Sequence, residues 1–257
     1  MKILAIGDVT SRGGVTHLEK NLWKFRKENG IDFTVVNGEN ASFISGISPE
    51  LSETLLFSGA DCITGGNHTM GNKQIYSALE ENPALLRPIN YGDSVVGKGY
   101  TILDVSGKRI LVISAMGNIH IEPTLDSPYR YIDRVLKEEA GKYDFSVLDI
   151  HAEATGEKCA IAHAYDGKIN VIFGTHTHVP TADERILKNG TGYITDLGMC
   201  GEADGILGVD TDFVIEKMRT RLPGRYKVAE GACVANGAIF EIDEKENRVV
   251  SVKRVNF

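Results

Sequence analysis

Short apolar runs mark three predicted strands in the first third of the chain. They cover residues 2–7, 33–36 and 61–64. Each run is short, apolar and bounded by polar or glycine residues, which is typical of a strand buried inside a sheet. Amphipathic segments lie between them.

These amphipathic segments are predicted helices. Over residues 15–29, Leu18, Leu22 and Phe25 lie on one helical face, and Gly30 follows as a stop signal. Ser48-Pro49 is an N-cap followed by proline at the first helical position, and it opens a helix that runs to about residue 58. A third helix is predicted over residues 72–81.

The later part of the chain is richer in strand patterns. We predict strands at 100–105, 108–115, 145–150, 171–173, 186–187, 192–195, 237–242 and 248–255, with helices at 128–140 and 211–221. Asn189-Gly190 is a favourable hairpin turn between two of these strands. The pattern predicts a layered α/β fold in one domain, residues 1–257, because no linker divides the chain.

Composition places the chain among ordinary globular proteins, with 42% apolar and 25% charged residues. No apolar run approaches the roughly 18 residues that span a membrane, and we interpret the first residues as a strand rather than a signal peptide. The net charge of −7 argues against a long nucleic-acid groove. It allows a small phosphorylated ligand, because bound metal ions would reverse the local field.

Four cysteines lie far apart, at positions 62, 159, 200 and 233. This spacing argues against a disulfide framework and favours a reducing cytoplasm. We expect all four to be small buried apolar residues.

Polar clusters follow five of the predicted strands. They are Asp8, Glu39-Asn40, Asn67-His68, His151, and the pair His176 and His178. Chemistry in α/β sheets gathers at the carboxyl ends of strands, so we expect these five clusters to meet at the edge of one sheet. All are residue types that bind metals or transfer protons, and together they predict a metal site.

Each cluster has a plainer interpretation when taken alone. Asp8 fits a helix N-cap, Glu39 a solvated loop carboxylate, and Asn67 with His68 a surface turn. A lone histidine such as His151 is more often a hydrogen-bonded structural residue than a ligand. The joint occurrence of five clusters favours the metal site.

The segment Gly174-Thr175-His176-Thr177-His178 carries the strongest local signal. On an extended strand the two imidazoles would point to opposite faces. A sharp turn after the glycine would instead direct both toward two neighbouring ions. The other histidines, His17, His120 and His163, are expected to be structural or exposed.

The ordered motifs resemble those of the calcineurin-like metallophosphoesterase superfamily. The matching strings are Gly7-Asp8-Val9-Thr10, Asn37-Gly38-Glu39-Asn40, Gly66-Asn67-His68, Asp149-Ile150-His151 and Gly174-Thr175-His176-Thr177-His178. Two positions depart from the usual pattern: Thr10 replaces a metal-binding histidine, and Glu39 replaces the bridging aspartate. With Asp196-Leu197-Gly198-Met199 and Asp204-Gly205-Ile206-Leu207-Gly208, these departures resemble a bacterial subgroup, the YmdB type.

The resemblance implies an α/β/β/α sandwich, with mixed sheets flanked by helices, and a di-iron 2′,3′-cyclic nucleotide phosphodiesterase. It implies that Asp8, Glu39, Asn40 and His178 hold one metal, and that Glu39, Asn67, His151 and His176 hold the other, with Glu39 bridging. Attack on phosphorus by a metal-bound hydroxide would follow, with His68 donating a proton to the leaving oxygen. The ligand types also allow manganese or zinc.

Two alternatives remain open, and a third is disfavoured. The first is another phosphoesterase on the same scaffold: a phosphomonoesterase, a nucleotidase or an RNA-processing nuclease. The second is a scaffold or regulatory protein that acts through this site. The third, a dinucleotide-binding oxidoreductase, lacks Gly-x-Gly-x-x-Gly after the first strand. A homo-oligomer is compatible with the sequence, although no interface is identified.

Overall fold

Two mixed β-sheets pack face to face, and helices cover both outer faces. The computed structural model describes residues 1–43 and 46–257. The strands are β1 (Lys2–Ile6), β2 (Asp8–Val9), β3 (Phe33–Asn37), β4 (Cys62–Thr64), β5 (Tyr100–Val105), β6 (Lys108–Met116), β7 (Phe145–His151), β8 (Val171–Thr175), β9 (Arg185–Ile186), β10 (Gly192–Ile194), β11 (Met199–Glu202), β12 (Cys233–Asp243) and β13 (Arg248–Asn256). The α-helices are α1 (Arg12–Asn29), α2 (Pro49–Phe57), α3 (Ile75–Glu81), α4 (Pro128–Glu138), α5 (Thr155–Ala164) and α6 (Thr211–Thr220).

The first sheet has the order β2-β11-β12-β1-β3-β4, and β13 pairs with β12. Strands β1, β3 and β4 are parallel, whereas β12 is antiparallel to β1. The second sheet has the order β5-β6-β7-β8-β10-β9, with β6, β7, β8 and β10 parallel. The parallel strands of each sheet therefore bring their carboxyl ends to a common edge.

Side chains alternate between the two faces of each strand, so the apolar residues are divided between the layer between the sheets and the outer layers under the helices. In β1, Ile3 and Ala5 face the second sheet, while Leu4 and Ile6 face the layer that contains Leu18 and Leu22 of α1. Helices α2 and α3 complete that outer layer, and α4 with α5 covers the second sheet. This arrangement is the α/β/β/α sandwich expected from the resemblance. The inner cluster draws on both sheets and so supports the proposal of one domain.

The expectation that all five polar clusters end strands of one sheet is wrong. Strands β1, β3 and β4 belong to the first sheet, whereas β7 and β8 belong to the second. Strand patterns report burial but not the choice of partner, because a strand buried on both faces looks the same in either sheet. The clusters meet because the two sheets pack against each other.

Several element boundaries also differ from the prediction. Helix α1 begins at Arg12, because the Ser11 hydroxyl accepts a hydrogen bond from Gly14 N at 3.0 Å and caps the helix. Helix α3 begins at Ile75 after a short 3₁₀ turn, Thr69–Gly71. Helix α5 and strands β2 and β11 were not predicted, since α5 lacks a clear apolar stripe and the strands are short.

Each helix within residues 1–43 and 46–257 is too short or too polar to cross a lipid bilayer. The four cysteines form no disulfide. Cys62 and Cys200 are buried as expected, whereas Cys159 and Cys233 are partly exposed, which corrects the expectation for that pair.

Candidate metal centre

Asp8 is the first residue of β2, with only Gly7 between it and the end of β1, and its side chain is fully buried. Its Oδ2 accepts a hydrogen bond from the backbone N–H of His176 at 3.0 Å, so β1 and the turn after β8 are held together. Gly7 allows the segment after β10 to pack closely beside Asp8, because a Cβ at position 7 would lie 1.9 Å from the Gly198 carbonyl oxygen. The first strand thus delivers a carboxylate into the interior.

Glu39 follows β3 and is also buried, with 1% of its surface exposed. The Asn37 side-chain oxygen accepts a hydrogen bond from Glu39 N at 3.1 Å and shapes the turn. Glu39 Oε2 in turn accepts a bond from His68 N at 2.7 Å. This bond joins the loops after β3 and β4 and keeps Glu39 Oε1 available for another ligand.

Asp8, Glu39 and His178 form a compact group of metal-ligand type. One potential ligand atom from each lies within 4.8 Å of the others, and no second such group of His, Cys, Asp or Glu occurs among the described residues. Asp8 begins β2 and Glu39 follows β3, both of the first sheet, whereas His178 follows β8 of the second sheet. A divalent cation among them would be bound by two carboxylates and one imidazole.

A second group converges on His151, the buried last residue of β7. Its Nε2 lies 2.9 Å from Asn67 Oδ1 and 3.1 Å from His176 Nδ1. Gly66 makes room for the ring, since a Cβ there would lie 2.4 Å from His151 Nε2. Its other ring nitrogen, Nδ1, lies 3.5 Å from Asp8 Oδ1 and so links the two groups.

The hydrogen bonds around both rings fix which nitrogens carry lone pairs. His151 Nδ1 lies 3.0 Å from Thr175 Oγ1, whose hydroxyl donates to Asp149 Oδ1 at 2.7 Å, so Nδ1–H is the donor to Thr175. His176 Nε2 lies 3.2 Å from Glu153 Oε2, which assigns its proton to Nε2. His151 Nε2, His176 Nδ1 and Asn67 Oδ1 therefore present lone pairs to one another, an arrangement that a cation would stabilise.

Unpaired polar atoms mark the same place. In the part of the chain that the structure describes, Asp8 Oδ1, Glu39 Oε1 and Asn40 Oδ1 are buried without a hydrogen-bond partner. Leaving such an atom unpaired is costly, and most buried polar atoms in proteins are satisfied. The residues present fit metal ions, because a cation would satisfy all three oxygens.

The electrostatics of the group agree with this interpretation. Burial, reinforced by the nearby Asp196 charge, raises the pKa of Asp8 to about 7. Burial and the Asp8 charge raise the pKa of Glu39 well above its usual range. Burial also lowers the pKa of His151 well below its usual value, and lowers that of His176 to about 4. Neutral imidazoles beside crowded carboxylates are suited to binding cations.

His68 and His178 complete the predicted set. Burial lowers the pKa of both rings, and the His178 charge contributes to the shift at His68. The structure brings His68 to the centre through its backbone bond to Glu39, and it leaves the ring half-buried. Asn40 lies next to Glu39 and is 5% exposed.

Thr10, one of the two departures from the superfamily pattern, does not replace the missing histidine. Its hydroxyl donates to the Cys200 carbonyl at 3.4 Å, and its side chain packs against Gly201 and Gly208. The remaining histidines follow the prediction. His120 and His163 are exposed, and His17 Nε2 contacts the Phe257 carbonyl at 2.8 Å.

Sequence reasoning missed Asp149 as a residue of the site. Its buried carboxylate accepts hydrogen bonds from Thr64 Oγ1 at 2.5 Å, Thr175 Oγ1 at 2.7 Å and Asn37 Nδ2 at 2.9 Å. Burial raises the pKa of Asp149 to about 7 despite these bonds. A charged residue inside the apolar run Val147-Leu148-Asp149-Ile150 was the available signal.

Sequence reasoning also missed a buried ion pair beside the two histidines after β8. Lys158 Nζ of α5 lies 2.7 Å from Asp196 Oδ2, which follows β10. Nothing in the sequence indicated that Lys158 is buried, because its helix was not predicted and lysine is normally exposed.

Comparison with known proteins agrees with the fold and the ordered motifs. The model of a family described as "YmdB-like protein" matches residues 4–255. A Bacillus subtilis (strain 168) protein named 2′,3′-cyclic-nucleotide 2′-phosphodiesterase is 40% identical over 255 residues, covering 99% of this chain and 96% of that protein.

Two solved structures are similar over their whole length. A hypothetical protein from Thermus thermophilus has a TM-score of 0.91 at 35% identity, covering 100% of this chain and 99% of that chain. A structure described as a novel phosphatase from Mycoplasma pneumoniae has a TM-score of 0.92 at 29% identity, covering 100% of this chain and 93% of that chain. The expected layered metallophosphoesterase fold is confirmed.

Proposed function

The chain belongs to the YmdB-like family, and from this premise we propose that it hydrolyses 2′,3′-cyclic nucleotides to 3′-nucleotides at a two-metal centre. The enzyme class, a phosphoric diester hydrolase, follows from the 40% identity with the Bacillus protein over nearly the whole chain. The cluster of Asp8, Glu39 and His178 carries the proposal, because their ligand atoms lie within 4.8 Å of one another in the interior.

We assign the ligands in two sets. Asp8, Glu39, Asn40 and His178 would hold one metal, and Glu39, Asn67, His151 and His176 would hold the other. Glu39 would belong to both sets: its Oε2 accepts a hydrogen bond from His68 N, and its Oε1 is buried without a partner and would be free to bind a cation. Asn40 enters the first set through its unpaired buried Oδ1, at the place where Thr10 supplies no ligand.

Metal ions bound by these residues would supply an activated water for attack on phosphorus and positive charge for the developing phosphate charge. The residues of the chain itself would position the ligands and transfer a proton. Asp8 joins the first sheet to the turn after β8 through His176 N, Glu39 joins the loops after β3 and β4 through His68 N, and His151 is fully buried beside them. His68 is the proposed donor to the leaving ribose oxygen. An anionic phosphodiester beside its ring would favour the protonated imidazolium that this step requires.

The substrate is proposed to be small. A five-membered cyclic phosphodiester presents a strained and accessible phosphorus, so it needs no extended basic surface. This agrees with the net charge of −7. Among the metals that the oxygen and nitrogen ligands accept, we propose iron, with manganese or zinc as substitutes. The cytoplasm is the proposed location, since the four cysteines form no disulfide.

A second candidate is phosphomonoester hydrolysis on the same scaffold. The observation that favours it is the structural match with the Mycoplasma pneumoniae protein, which is described as a phosphatase. Both reactions would use the same metal ligands. They differ in the leaving group and in the number of negative charges on the substrate phosphate.

The test is hydrolysis of 2′,3′-cyclic AMP by protein loaded anaerobically with iron and, in parallel, with manganese. Products are identified by chromatography, and p-nitrophenyl phosphate is the matched monoester substrate. Formation of 3′-AMP at a rate well above monoester hydrolysis supports the proposal. Protein shown to hold two ions that hydrolyses only the monoester would favour the second candidate.

A further inference from the structure

A buried ion pair lies behind the two histidines that follow β8. Lys158 Nζ and Asp196 Oδ2 are 2.7 Å apart, and each side chain is 1% exposed. Neither residue belongs to the ligand sets above. The pair connects α5 to the loop after β10 beneath the metal centre.

Burying an ammonium and a carboxylate is expensive, because both lose their hydration. Apolar residues of similar volume often stabilise a protein as well or better. The pair is therefore poorly explained as a source of fold stability. Its other contacts suggest a more specific role.

Asp196 holds both ends of the short loop that contains His178. Its Oδ2 accepts bonds from Thr177 N at 3.1 Å and Thr177 Oγ1 at 2.8 Å, in addition to Lys158. Its backbone carbonyl accepts a bond from Thr181 N at 3.0 Å, and its own N–H donates to Thr181 Oγ1 at 3.0 Å. His178 lies between these two anchors.

The loop needs such anchors because its backbone is strained. His176 has a φ of 102° and His178 a φ of 64°, in the region that favours glycine. These angles turn the two imidazoles away from the alternating directions of a strand. Thr177, between them, contacts Asp196 through both its backbone and its side chain.

Local packing leaves Lys158 little freedom. Its chain passes over Gly174 of β8, where a Cβ would lie 2.7 Å from Lys158 Cδ and 1.9 Å from the Thr195 carbonyl oxygen. Glycine at this position therefore allows the lysine to reach Asp196. Helix α5, the loop after β10 and the histidine turn are thus connected through Asp196.

We propose that Lys158 and Asp196 are positioning residues that hold the His176-Thr177-His178 turn in its metal-binding geometry through Thr177. The inference rests on the proposed function, because it takes the two histidines to be ligands. Lys158 orients the Asp196 carboxylate and balances its charge, and Asp196 fixes the turn. Neither residue is among the proposed metal ligands.

The test compares the Mn²⁺ affinity of Thr177→Val, Thr177→Ser and Lys158→Met with that of the wild type, by calorimetric titration of metal-free protein. Thr177→Val keeps the shape and the backbone bond but loses the hydroxyl, whereas Thr177→Ser keeps the hydroxyl. We expect affinity to fall about 10-fold or more in Thr177→Val and Lys158→Met, as for other residues that orient metal ligands, and to stay near wild type in Thr177→Ser. The electron paramagnetic resonance spectrum of two coupled Mn²⁺ ions should change in Thr177→Val and Lys158→Met and stay as in the wild type in Thr177→Ser.

Arg26→Met is the matched control for loss of a buried cation. Arg26 is 8% exposed, and its guanidinium lies 2.9 Å from the Asp61 carboxylate. Asp61 precedes β4, so this pair lies at the amino end of the strand, away from the candidate metal centre. We expect it to lower the melting temperature of the metal-free protein and to leave metal affinity unchanged. If Lys158→Met does not fold, as judged by circular dichroism, Thr177→Val decides the question.

Wild-type affinity in Thr177→Val would overturn the inference, and so would an equal loss of affinity in Arg26→Met. Failure of the proposed function has a different outcome. Wild-type protein that binds two ions but hydrolyses no cyclic nucleotide would remove the substrate assignment, while the affinity comparison would still test the positioning pair.

Discussion

His151 Nδ1 lies 3.0 Å from the hydroxyl of Thr175, its partner across the β7–β8 pair. The hydroxyl donates its own hydrogen bond to Asp149 at 2.7 Å, so it accepts from the imidazole and leaves the Nε2 lone pair facing Asn67 and His176. A buried carboxylate thus sets the tautomer of a proposed ligand through one intervening residue.

Thr175→Val should weaken metal binding without unfolding the protein. The valine has the same shape but cannot accept from His151 Nδ1, so the imidazole loses the bond that fixes its tautomer. We expect Mn²⁺ affinity to fall about 10–100-fold, measured by calorimetric titration. Thr175→Ser is the control and should bind as the wild type does. Equal affinity in the valine variant would show that the hydroxyl has no such role.

Asp8→Asn should lower metal occupancy and phosphodiesterase activity together. Asparagine keeps the size of the side chain and an acceptor for His176 N, but it removes one of the two carboxylate charges around the first metal. Metal content per chain is measured by inductively coupled plasma mass spectrometry. Asp93→Asn, at a carboxylate that is 72% exposed and paired with Arg134, is the matched control. Full activity in Asp8→Asn would remove Asp8 from the site.

His68→Ala should retain both metals and lose most turnover. The backbone N–H of residue 68, which fixes Glu39, is unchanged by the substitution. We expect kcat to fall about 10²–10⁴-fold for a nucleotide substrate, and much less for an ester with a nitrophenolate leaving group that needs no proton. Metal content is measured in the same samples. Loss of metal in this variant would make His68 a ligand rather than a proton donor.

Gly66→Ala should displace the His151 ring, because the added Cβ would lie 2.4 Å from Nε2. We expect metal binding to be at least about 10-fold weaker, with a folded protein by circular dichroism. Gly156→Ala in α5 is the matched control, since nothing lies within 4 Å of an added Cβ there. It should be neutral or slightly stabilising. Unchanged metal affinity in Gly66→Ala would mean that His151 can move without loss of function.

Asp183 offers a test of pH-dependent stability away from the metal ligands. Partial burial raises the pKa of its carboxyl, but hydrogen bonds from Thr181 Oγ1 at 2.6 Å, Thr195 Oγ1 at 2.5 Å and Thr195 N at 3.1 Å outweigh burial and lower it below 3.8. A carboxyl with a lowered pKa in the folded state adds stability above its unfolded pKa, and the contribution is lost as pH falls through the folded value.

Asp183→Asn should therefore destabilise the protein near neutral pH, by an amount that solvent screening of this partly exposed carboxyl keeps small, and by less as pH falls below about 4. The measurement is urea unfolding of wild type and variant at several pH values. Asp212→Asn, at an exposed residue of α6, is the control. A difference between wild type and Asp183→Asn that stayed constant down to the lowest pH would contradict the assignment.

The sequence by itself predicted most of the elements and the candidate ligand residues. The apolar runs before Asp8, Glu39 and Asn67 predicted β1, β3 and β4 within one or two residues, because short buried strands have a local signature. The structure brings the proposed ligands together, with the potential ligand atoms of Asp8, Glu39 and His178 within 4.8 Å of one another. Their assignment to the two metals stays a prediction.

Only the tertiary structure shows how the strands are divided between two sheets and how the candidate site residues come together. The two sheets could not be separated by pattern, since β3 and β7 are both buried on both faces and differ only in their partners. The roles of Asp149 and Lys158 depend on contacts with Thr175, 26 residues away, and with Asp196, 38 residues away. The turn at His176 likewise arises from positive φ angles held by Asp196 rather than from Gly174, which lies within β8. Local sequence encodes burial and propensity, whereas hydrogen bonds between distant residues exist only once the two sheets have packed.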